Sequence, residues 1–459
     1  MADRFDLIVI GAGPGGYEAA IEGAKKGMKV ALVENRQLGG TCLNRGCIPT
    51  KTILHTAELY HELKNGPAIG LEAAGTSVHM EAVWQRKEEV LEQLRKGIAS
   101  LMKTNKIAVY YGTGMILDRE HVMVAENEPV LLETSRILIA TGSVPAHPPI
   151  PGSDLPGVVT SDELLEKKEL FGHLVIIGGG VIGMEFASIY SSLGHPVTVI
   201  EAMDRILPGL DKEIAQNLKM ILKKRNVEIH TGAKVEEIQP CEDGSGLICC
   251  YREKEKEQEI KAEGCLIAVG RKANTIGLIS EESSREIQEI SMEKGCIVVN
   301  EHYETSVPGI YAVGDVTGGI QLAHAATAQG RNAVAHMAGE AMDIRTDLIP
   351  SCVYTSPEIA SVGLSADDAK SKGLSVISKK YLMSANGKSV LSLQERGFIK
   401  VVADSESHRI LGAQMMCARA TDMISQFAVA VAKGLTLEDL AAVVFPHPTF
   451  SEGILEAVR

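Results

Sequence analysis

Two short apolar runs in this chain each lead into a glycine-rich turn. Residues 6–10 precede the turn at residues 11–16, and residues 174–177 precede the turn at residues 178–183. A stretch with helical periodicity follows each turn. An apolar strand, a tight turn and a helix in that order are typical of α/β sheets. The pattern therefore predicts two units of the same kind.

Each predicted unit continues into a second strand that ends in an acid. Glu34 and Glu201 each follow the last glycine of their motif by eighteen residues. The motif glycines are Gly11, Gly13 and Gly16 in the first unit and Gly178, Gly180 and Gly183 in the second. Such glycines let a pyrophosphate approach a helix N-terminus, and the acid accepts hydrogen bonds from an adenosine ribose.

One G-x-G-x-x-G motif alone could be an ordinary turn of an α/β sheet. Two copies with matched acids instead predict that two dinucleotides bind this chain. Because NAD would occupy one site, we expect FAD in the other.

The pattern also indicates how the rest of the chain is organised. Residues 144–152 are too rich in proline for a helix or a central strand, and we expect a domain boundary there. A helix should precede the boundary, with Leu91, Leu94 and Leu101 in its apolar stripe and Lys87 on its outer face. The alternating charges of residues 252–261 predict a solvated hairpin. From about Pro350 the pattern changes to short strands followed by two helices.

Composition narrows the class of protein. The 459 residues correspond to roughly three domains. The net charge of −13 disfavours nucleic-acid binding. No apolar run reaches 18 residues, so we expect no membrane association. The first six residues carry two acids and no basic cluster, which is unlike a secretory signal, and we expect a cytoplasmic protein.

Cysteine spacing points to redox chemistry. Seven of the nine cysteines are scattered, and we expect them to be small core residues. Cys42 and Cys47 are separated by four residues, and no second pair completes a zinc site, so we expect no bound metal. In a reducing cytosol, such a close pair indicates redox cycling more than a structural bridge.

With these motifs in view, the sequence resembles the flavin-dependent disulfide reductases. Similarity covers essentially the whole chain: the redox motif at residues 39–51, the segment 140–143, the flavin segment 305–315 and the terminal His-Pro-Thr segment. The implied fold is α/β, with two Rossmann-like dinucleotide-binding domains and a C-terminal α+β dimerisation domain. The expected boundaries are 1–149 for FAD binding, 150–272 for NAD binding, 273–345 for a central domain completing the FAD site, and 346–459 for the interface.

The resemblance also implies roles for individual residues. Cys42 would meet the substrate and Cys47 would face the flavin, with Lys51 paired to Glu185 beside its reactive edge. His447 would be the acid–base, oriented by Glu452. Glu34 would bind the FAD ribose, Glu201 the NAD ribose and Asp315 the ribityl chain. Further cofactor contacts are expected at Thr41, Thr141, Gly142, Ser143, Gly270 and Ala323.

The implied reaction is oxidation of protein-bound dihydrolipoamide to lipoamide, with reduction of NAD⁺ to NADH. Electrons would pass from the substrate dithiol through the Cys42–Cys47 disulfide and FAD. The expected partners are a second copy of the chain and a lipoyl-bearing protein of a 2-oxo acid dehydrogenase or glycine cleavage complex.

Other functions on the same fold are also compatible with parts of the sequence. Glutathione and thioredoxin reductases would select NADPH, whose 2′-phosphate Glu201 and Asp204 would repel. The tail has no extra cysteine pair of the mercuric reductase kind. Soluble transhydrogenase lacks the cysteine pair that this chain has. A non-catalytic nucleotide-sensing or scaffold subunit of the same fold would not need the pair.

The chain departs from the family pattern at two positions. After His324, which we expect to be structural or part of the flavin wall, Ala325 and Gln329 stand where the family commonly has Lys and Glu. The departure leaves local packing and the redox poise open, while the residues of the expected reaction are retained.

Overall fold

The structure, a computed structural model, describes residues 3–125 and 128–459. Met1 and Ala2, part of the segment considered above as a signal, lie outside that range. A parallel five-stranded sheet forms the first nucleotide-binding unit, with the first glycine turn at the end of its central strand. Its strands, in spatial order, are Ile310–Ala312, Ile137–Ile139, Leu7–Ile10, Val30–Glu34 and Ala108–Tyr111.

A second parallel five-stranded sheet repeats this arrangement. Its strands, in spatial order, are Val158–Thr160, Gly264–Ile267, Leu174–Ile177, Val197–Glu201 and Val227–Thr231. Most residues of the central strands of both sheets are buried, as expected for parallel strands covered on both faces. The two units and their glycine turns are therefore confirmed.

Helices cover both sheets. In the first unit they are Pro14–Lys25, Gly40–Arg45, Cys47–Asn65, Met80–Thr104 and Ala323–Met337, with 3₁₀ turns at Gly66–Ile69 and Gly314–Thr317. In the second they are Ser161–Glu166, Val181–Leu193 and Lys212–Lys223, and Arg285–Gln288 follows.

Small sheets flank the two units. A four-stranded one comprises Asp3–Phe5, Val130–Thr134, His121–Ala125 and Thr113–Ile116, and a three-stranded one comprises Ala233–Pro240, Leu247–Glu253 and Lys256–Ala262. The remaining two-stranded pairs are Ser143–Pro145 with Arg271–Ala273 and Met292–Glu293 with Cys296–Ile297. The charged run at 252–261 forms an exposed antiparallel hairpin, as predicted.

An antiparallel sheet dominates the last part of the chain. Its strands, in spatial order, are Ser351–Val353, Ile359–Gly363, Ile410–Met416, Phe398–Asp404 and Val376–Leu382. The helices here are Ala366–Ser371, Gly387–Leu391, Ala420–Lys433, Leu437–Ala441 and Glu452–Val458, with a 3₁₀ turn at Met383–Ala385. Three helices follow the last strand, where the sequence predicted two. The α/β fold with a C-terminal α+β part is otherwise confirmed.

The expectation for helix Met80–Thr104 was wrong in part. Lys87 is buried, with Nζ 2.8 Å from the carbonyl oxygen of Leu165 and 4.9 Å from the ring centre of Trp84. Leu94 and Leu101 of the predicted core stripe are exposed. A helix that packs against a second unit buries a different face from one that packs only on its own sheet, and periodicity cannot distinguish the two cases. No helix in the described ranges is long and apolar enough to cross a membrane.

Candidate active site

A single cavity of 1640 Å³ runs between the carboxyl ends of the two parallel sheets. Both glycine turns line it, and so do the redox cysteines. In open α/β sheets, ligands bind outside the carboxyl ends of the strands, where the connections change direction. The cavity occupies that position in both units.

The glycine turns combine close packing with open space. A side-chain carbon at Gly16 would collide with the carbonyl oxygen of Gly11, so this glycine is needed for the contact between helix and strand. A carbon added at Gly180 would meet nothing within 4 Å, and one at Gly13 would meet only the Cα of Gly40 at 3.9 Å. Both of these middle glycines line the cavity.

Two helices present their N-termini at these turns. Pro14–Lys25 and Val181–Leu193 both begin at a glycine cap without a side-chain hydrogen bond. Their first N–H groups can therefore bind an anion. Together with the open middle glycines, these termini fit the pyrophosphates of two dinucleotides.

The acids at the ends of the second strands of the two units each accept two hydrogen bonds from backbone N–H groups. Glu34 accepts hydrogen bonds from the backbone N–H groups of Ala12 and Arg36, both at 2.8 Å. Glu201 accepts from Gly179 at 2.5 Å and Met203 at 2.6 Å. Both carboxylates line the cavity and are almost fully buried. A carboxylate has about four acceptor positions, so each keeps capacity for ribose hydroxyls.

The redox cysteines lie on two consecutive helices. Cys42 is in Gly40–Arg45, and Cys47 begins Cys47–Asn65, with Gly46 between the two helices. A side-chain carbon at Gly46 would lie 3.2 Å from the carbonyl oxygen of Thr41. Both thiols are free and both line the cavity.

The two thiols differ in acidity. A hydrogen bond with Cys42, together with the Lys51 cation, lowers the pKa of Cys47 to about 7 despite burial. The hydrogen bond with Cys47, reinforced by burial, raises the pKa of Cys42 well above its usual range. Both directions favour Cys47 over Cys42 as the thiolate of the reduced pair.

This difference gives a prediction for the pH dependence of the reduced pair. We expect the ultraviolet absorbance of the thiolate to rise as the pH increases through about 7, since a lowered pKa leaves the charged form dominant above it. The measurement is a pH titration of the reduced protein, with Cys47→Ser as the reference. A midpoint that stays near 9, or one that persists in the reference, would contradict the assignment.

A partly buried ion pair lies beside the cysteines. Lys51 Nζ lies 2.8 and 2.7 Å from the two carboxylate oxygens of Glu185 and 4.5 Å from the ring centre of Tyr354. The backbone N–H of Tyr354 also donates to Glu185, at 3.1 Å. Since both charges are paired in a partly dry site, the ammonium is held in a fixed position.

A hydrogen-bonded chain lines another side of the cavity. Ser143 Oγ donates to Asp315 Oδ2 at 2.6 Å. Arg271 donates to Ser143 through Nε and through Nη2, both at 2.8 Å. The side chain of Gln329, one of the departures, accepts from the N–H of Gly314 at 2.8 Å and so supports the turn next to Asp315.

His447 and Glu452 pair with each other but lie outside the cavity lining. His447 Nδ1 is 2.8 Å from one oxygen of Glu452, whose other oxygen accepts from the backbone N–H of Thr449 at 2.8 Å. These hydrogen bonds lower the pKa of Glu452, that from Thr449 contributing most. The imidazole is 78 % exposed. Within this subunit, its free nitrogen therefore faces solvent.

The structure gathers most of the candidate residues into one place. Of the residues named from the sequence, those that line the cavity are Gly11, Gly13, Glu34, Thr41, Cys42, Cys47, Lys51, Thr141, Gly142, Ser143, Gly178, Gly180, Glu185, Glu201, Gly270, Asp315 and Ala323. Gly16 and Gly183 lie behind it, packed against backbone. His324, left open above, lines it, with Nε2 2.7 Å from the carbonyl oxygen of Pro350.

Sequence reasoning missed several residues of this site. Arg271, Asp162, Tyr354 and Cys352 all line the cavity. Cys352 was expected to be a core residue but is only partly buried. None of the four belongs to a local motif that was recognised, although Arg271 directly follows Gly270, which was named.

Comparison with known families identifies this arrangement. The profile described as pyridine nucleotide-disulphide oxidoreductase matches residues 5–330, and the dimerisation domain of the same family matches residues 349–458. The chain belongs to the pyridine nucleotide-disulphide oxidoreductases. This result confirms the resemblance inferred from the motifs.

Individual members of the pyridine nucleotide-disulphide oxidoreductases resemble the chain over its full length. A protein of Bacillus subtilis named dihydrolipoyl dehydrogenase is 42 % identical, covering 100 % of this chain and 98 % of the relative. A protein of Zymomonas mobilis with the same name is 36 % identical, covering 100 % of this chain and 98 % of the relative. Among solved structures, LpdA from Mycobacterium tuberculosis has a TM-score of 0.91 at 26 % identity, covering 100 % of this chain and 99 % of that one. The HOCl-induced flavoprotein disulfide reductase RclA from Escherichia coli has a TM-score of 0.87 at 31 % identity, covering 99 % of each chain.

Proposed function

We propose that this protein is a dihydrolipoyl dehydrogenase, which oxidises protein-bound dihydrolipoamide to lipoamide and reduces NAD⁺ to NADH. One observation carries the proposal: the Cys42–Cys47 pair lines the same cavity as the two glycine turns. Full-length similarity to relatives of that name supports it.

FAD and NAD(H) are the cofactors of this enzyme. In our proposal the first glycine turn, with Glu34, Thr41, Ser143 and Asp315, binds FAD. The second, with Glu201 and Gly270, binds NAD(H). FAD, when bound, transfers electrons between the thiol pair and the nicotinamide. The chain's own contribution is to align the two ligands and to exclude water from the space between them.

Thiol exchange would proceed at the cysteine pair. In the oxidised enzyme Cys42 and Cys47 would form a disulfide. A thiolate of the substrate attacks Cys42 Sγ, forms a mixed disulfide and breaks the Cys42–Cys47 bond, which releases Cys47 as a thiolate. A leaving thiol of low pKa departs faster, which suits Cys47. The second substrate thiol then displaces Cys42 and closes the lipoamide disulfide. This leaves the enzyme as a dithiol, having taken up the two electrons of the substrate.

A base is needed for the protons of the dithiol, and we assign it to His447. Glu452 binds Nδ1 and so leaves Nε2 as the working nitrogen. The protein acts as a homodimer through its C-terminal domain. In our proposal each His447 serves the cysteine pair of the partner subunit. The lipoyl group arrives on a subunit of a 2-oxo acid dehydrogenase or glycine cleavage complex.

A steady-state assay tests the reaction and the coenzyme together. We expect turnover of free dihydrolipoamide with NAD⁺ and a kcat/KM for NADP⁺ at least about tenfold lower. Glu201 binds ribose hydroxyls and repels a 2′-phosphate, and one charged hydrogen bond contributes about 1.5–3 kcal/mol. Glutathione disulfide with NADPH serves as the competing pair. Faster turnover of that pair would contradict the proposal, and equal kcat/KM for the two coenzymes would contradict the role of Glu201.

A further inference from the structure

A guanidinium is built into the contact between the two nucleotide-binding units. Arg271 begins strand Arg271–Ala273, which pairs antiparallel with Ser143–Pro145. Its side chain is only 13 % exposed. It donates two hydrogen bonds to Ser143, one to the hydroxyl and one to the backbone carbonyl, both at 2.8 Å. Two arms of the guanidinium thus hold a single residue.

The third arm faces a carboxylate of the second unit. Nη1 of Arg271 lies 3.5 Å from Asp162, whose side chain is 19 % exposed. Asp162 stands in the first turn of helix Ser161–Glu166, which a capping box of Thr160 and Glu163 fixes in place. Because the guanidinium is planar, contacts on three sides fix both its position and its orientation.

This geometry decides where the hydroxyl proton of Ser143 points. A hydroxyl donates one hydrogen bond, and its oxygen accepts others. Arg271 Nε donates to the hydroxyl oxygen of Ser143. The hydroxyl proton of Ser143 is therefore free to point to Oδ2 of Asp315, which lies 2.6 Å from the hydroxyl oxygen. The other oxygen of Asp315, Oδ1, has no donor within the described part of the chain, and Asp315 lines the cavity.

We propose that Arg271 is a positioning residue for FAD, which through Ser143 holds Asp315 with one carboxylate oxygen presented to the ribityl hydroxyls. This rests on the proposed function, since it requires FAD in the first unit. Arg271 itself acts through Ser143. Strand Arg271–Ala273 belongs to the segment that leads out of the second unit. The retention of FAD in the first unit therefore also depends on how this segment packs against Ser143.

The test measures how fast the holoenzyme loses FAD. We expect Arg271→Gln to release FAD about tenfold or more faster than the wild type, because charge-assisted hydrogen bonds to Ser143 are lost. Arg271→Lys keeps the charge without the planar fork and should recover part of the difference. The readout is the rise in free flavin fluorescence after dilution. Arg252→Gln is the matched control, because Arg252 lies in the hairpin of the same unit, is bound to Glu236, and has a side chain that is 40 % exposed.

A double-mutant cycle separates positioning from a merely structural role. In a Ser143→Ala background, Arg271→Gln should add less than about twofold, since both changes break one chain of hydrogen bonds. If Arg271 only held the two strands together, Arg271→Gln would speed FAD release by the same factor in both backgrounds. That result would overturn the proposal. Release of FAD from Arg271→Gln at the wild-type rate would overturn it too. A wild-type protein that never takes up FAD would instead overturn the proposed function as well.

Discussion

Serine in place of either redox cysteine is expected to reduce dihydrolipoamide turnover by at least about 10⁴-fold, because no disulfide can form to accept the substrate's electrons. The two variants should nevertheless differ in colour. Two-electron reduction of the wild type should give a long-wavelength absorbance band from a thiolate beside the flavin. Since the pKa of Cys47 is the lowered one, Cys47→Ser should lose the band and Cys42→Ser should retain it.

Absorbance spectra recorded during anaerobic reduction check this prediction. Cys352→Ser is a useful control, because that thiol also lines the cavity but its pKa is raised to about 11, mainly by burial. We expect this control to keep both the band and turnover. If Cys42→Ser lost the band and Cys47→Ser kept it, the roles of the two thiols would be reversed.

Replacing His447 with glutamine is expected to lower kcat by about 10²–10⁴-fold, the usual contribution of a positioned base. The reason is that the substrate thiols must lose their protons before they attack the disulfide, and His447 is the base that we assign to them. Among the described residues of its own subunit, the histidine that lines the cavity is His324, and its Nε2 is engaged with Pro350. FAD content should be unchanged, since His447 lies outside the cavity.

Co-expression of Cys42→Ser subunits with His447→Gln subunits decides which subunit His447 serves. If it acts on the partner, each heterodimer keeps one site with intact Cys42 and intact His447. Random pairing gives half heterodimers, so activity should recover to roughly a quarter of the wild-type value. The two single variants, each expressed and assayed alone, provide the baseline. Activity that stays at this baseline in verified heterodimers would refute the shared site.

An exposed apolar segment just before His447 favours an active site that is shared between two subunits. His447 follows Val443 and Val444, and Val444 is 92 % exposed in the isolated subunit. Two adjacent exposed valines are unusual on a solvent-facing segment, although single exposed apolar residues are common. A two-fold interface would bring both copies of this segment to equivalent positions, so that both active sites are completed in the same way.

Local sequence was enough to predict the parts of the site that local geometry determines. A strand, a glycine turn and a helix place Gly13 and Glu34 within one short stretch, so their spacing specifies their arrangement. The Lys51–Glu185 pair spans 134 positions of the chain. No pattern within either segment points to the other, and the family resemblance alone suggested the pair.

The contacts that sequence reasoning missed are those between units. Arg271 reaches Ser143 because two short strands pair across the boundary, and Lys87 is buried because a second unit covers its helix face. Both side chains look like ordinary surface cations in the sequence. Burial of a cation depends on what packs against it from elsewhere in the chain, and hydrophobic periodicity carries no information about that.

The way Glu201 is held has a consequence for the evolution and redesign of coenzyme preference. Its carboxylate binds the backbone N–H groups of Gly179 and Met203. Removing the acid would leave these two donors without their acceptor, at the site that we propose for the NAD ribose. A small neutral residue there would thus both end the repulsion and free two backbone donors for an anion. If Glu201 binds the NAD ribose as we propose, a change of coenzyme preference in this chain would begin with the replacement of this one residue.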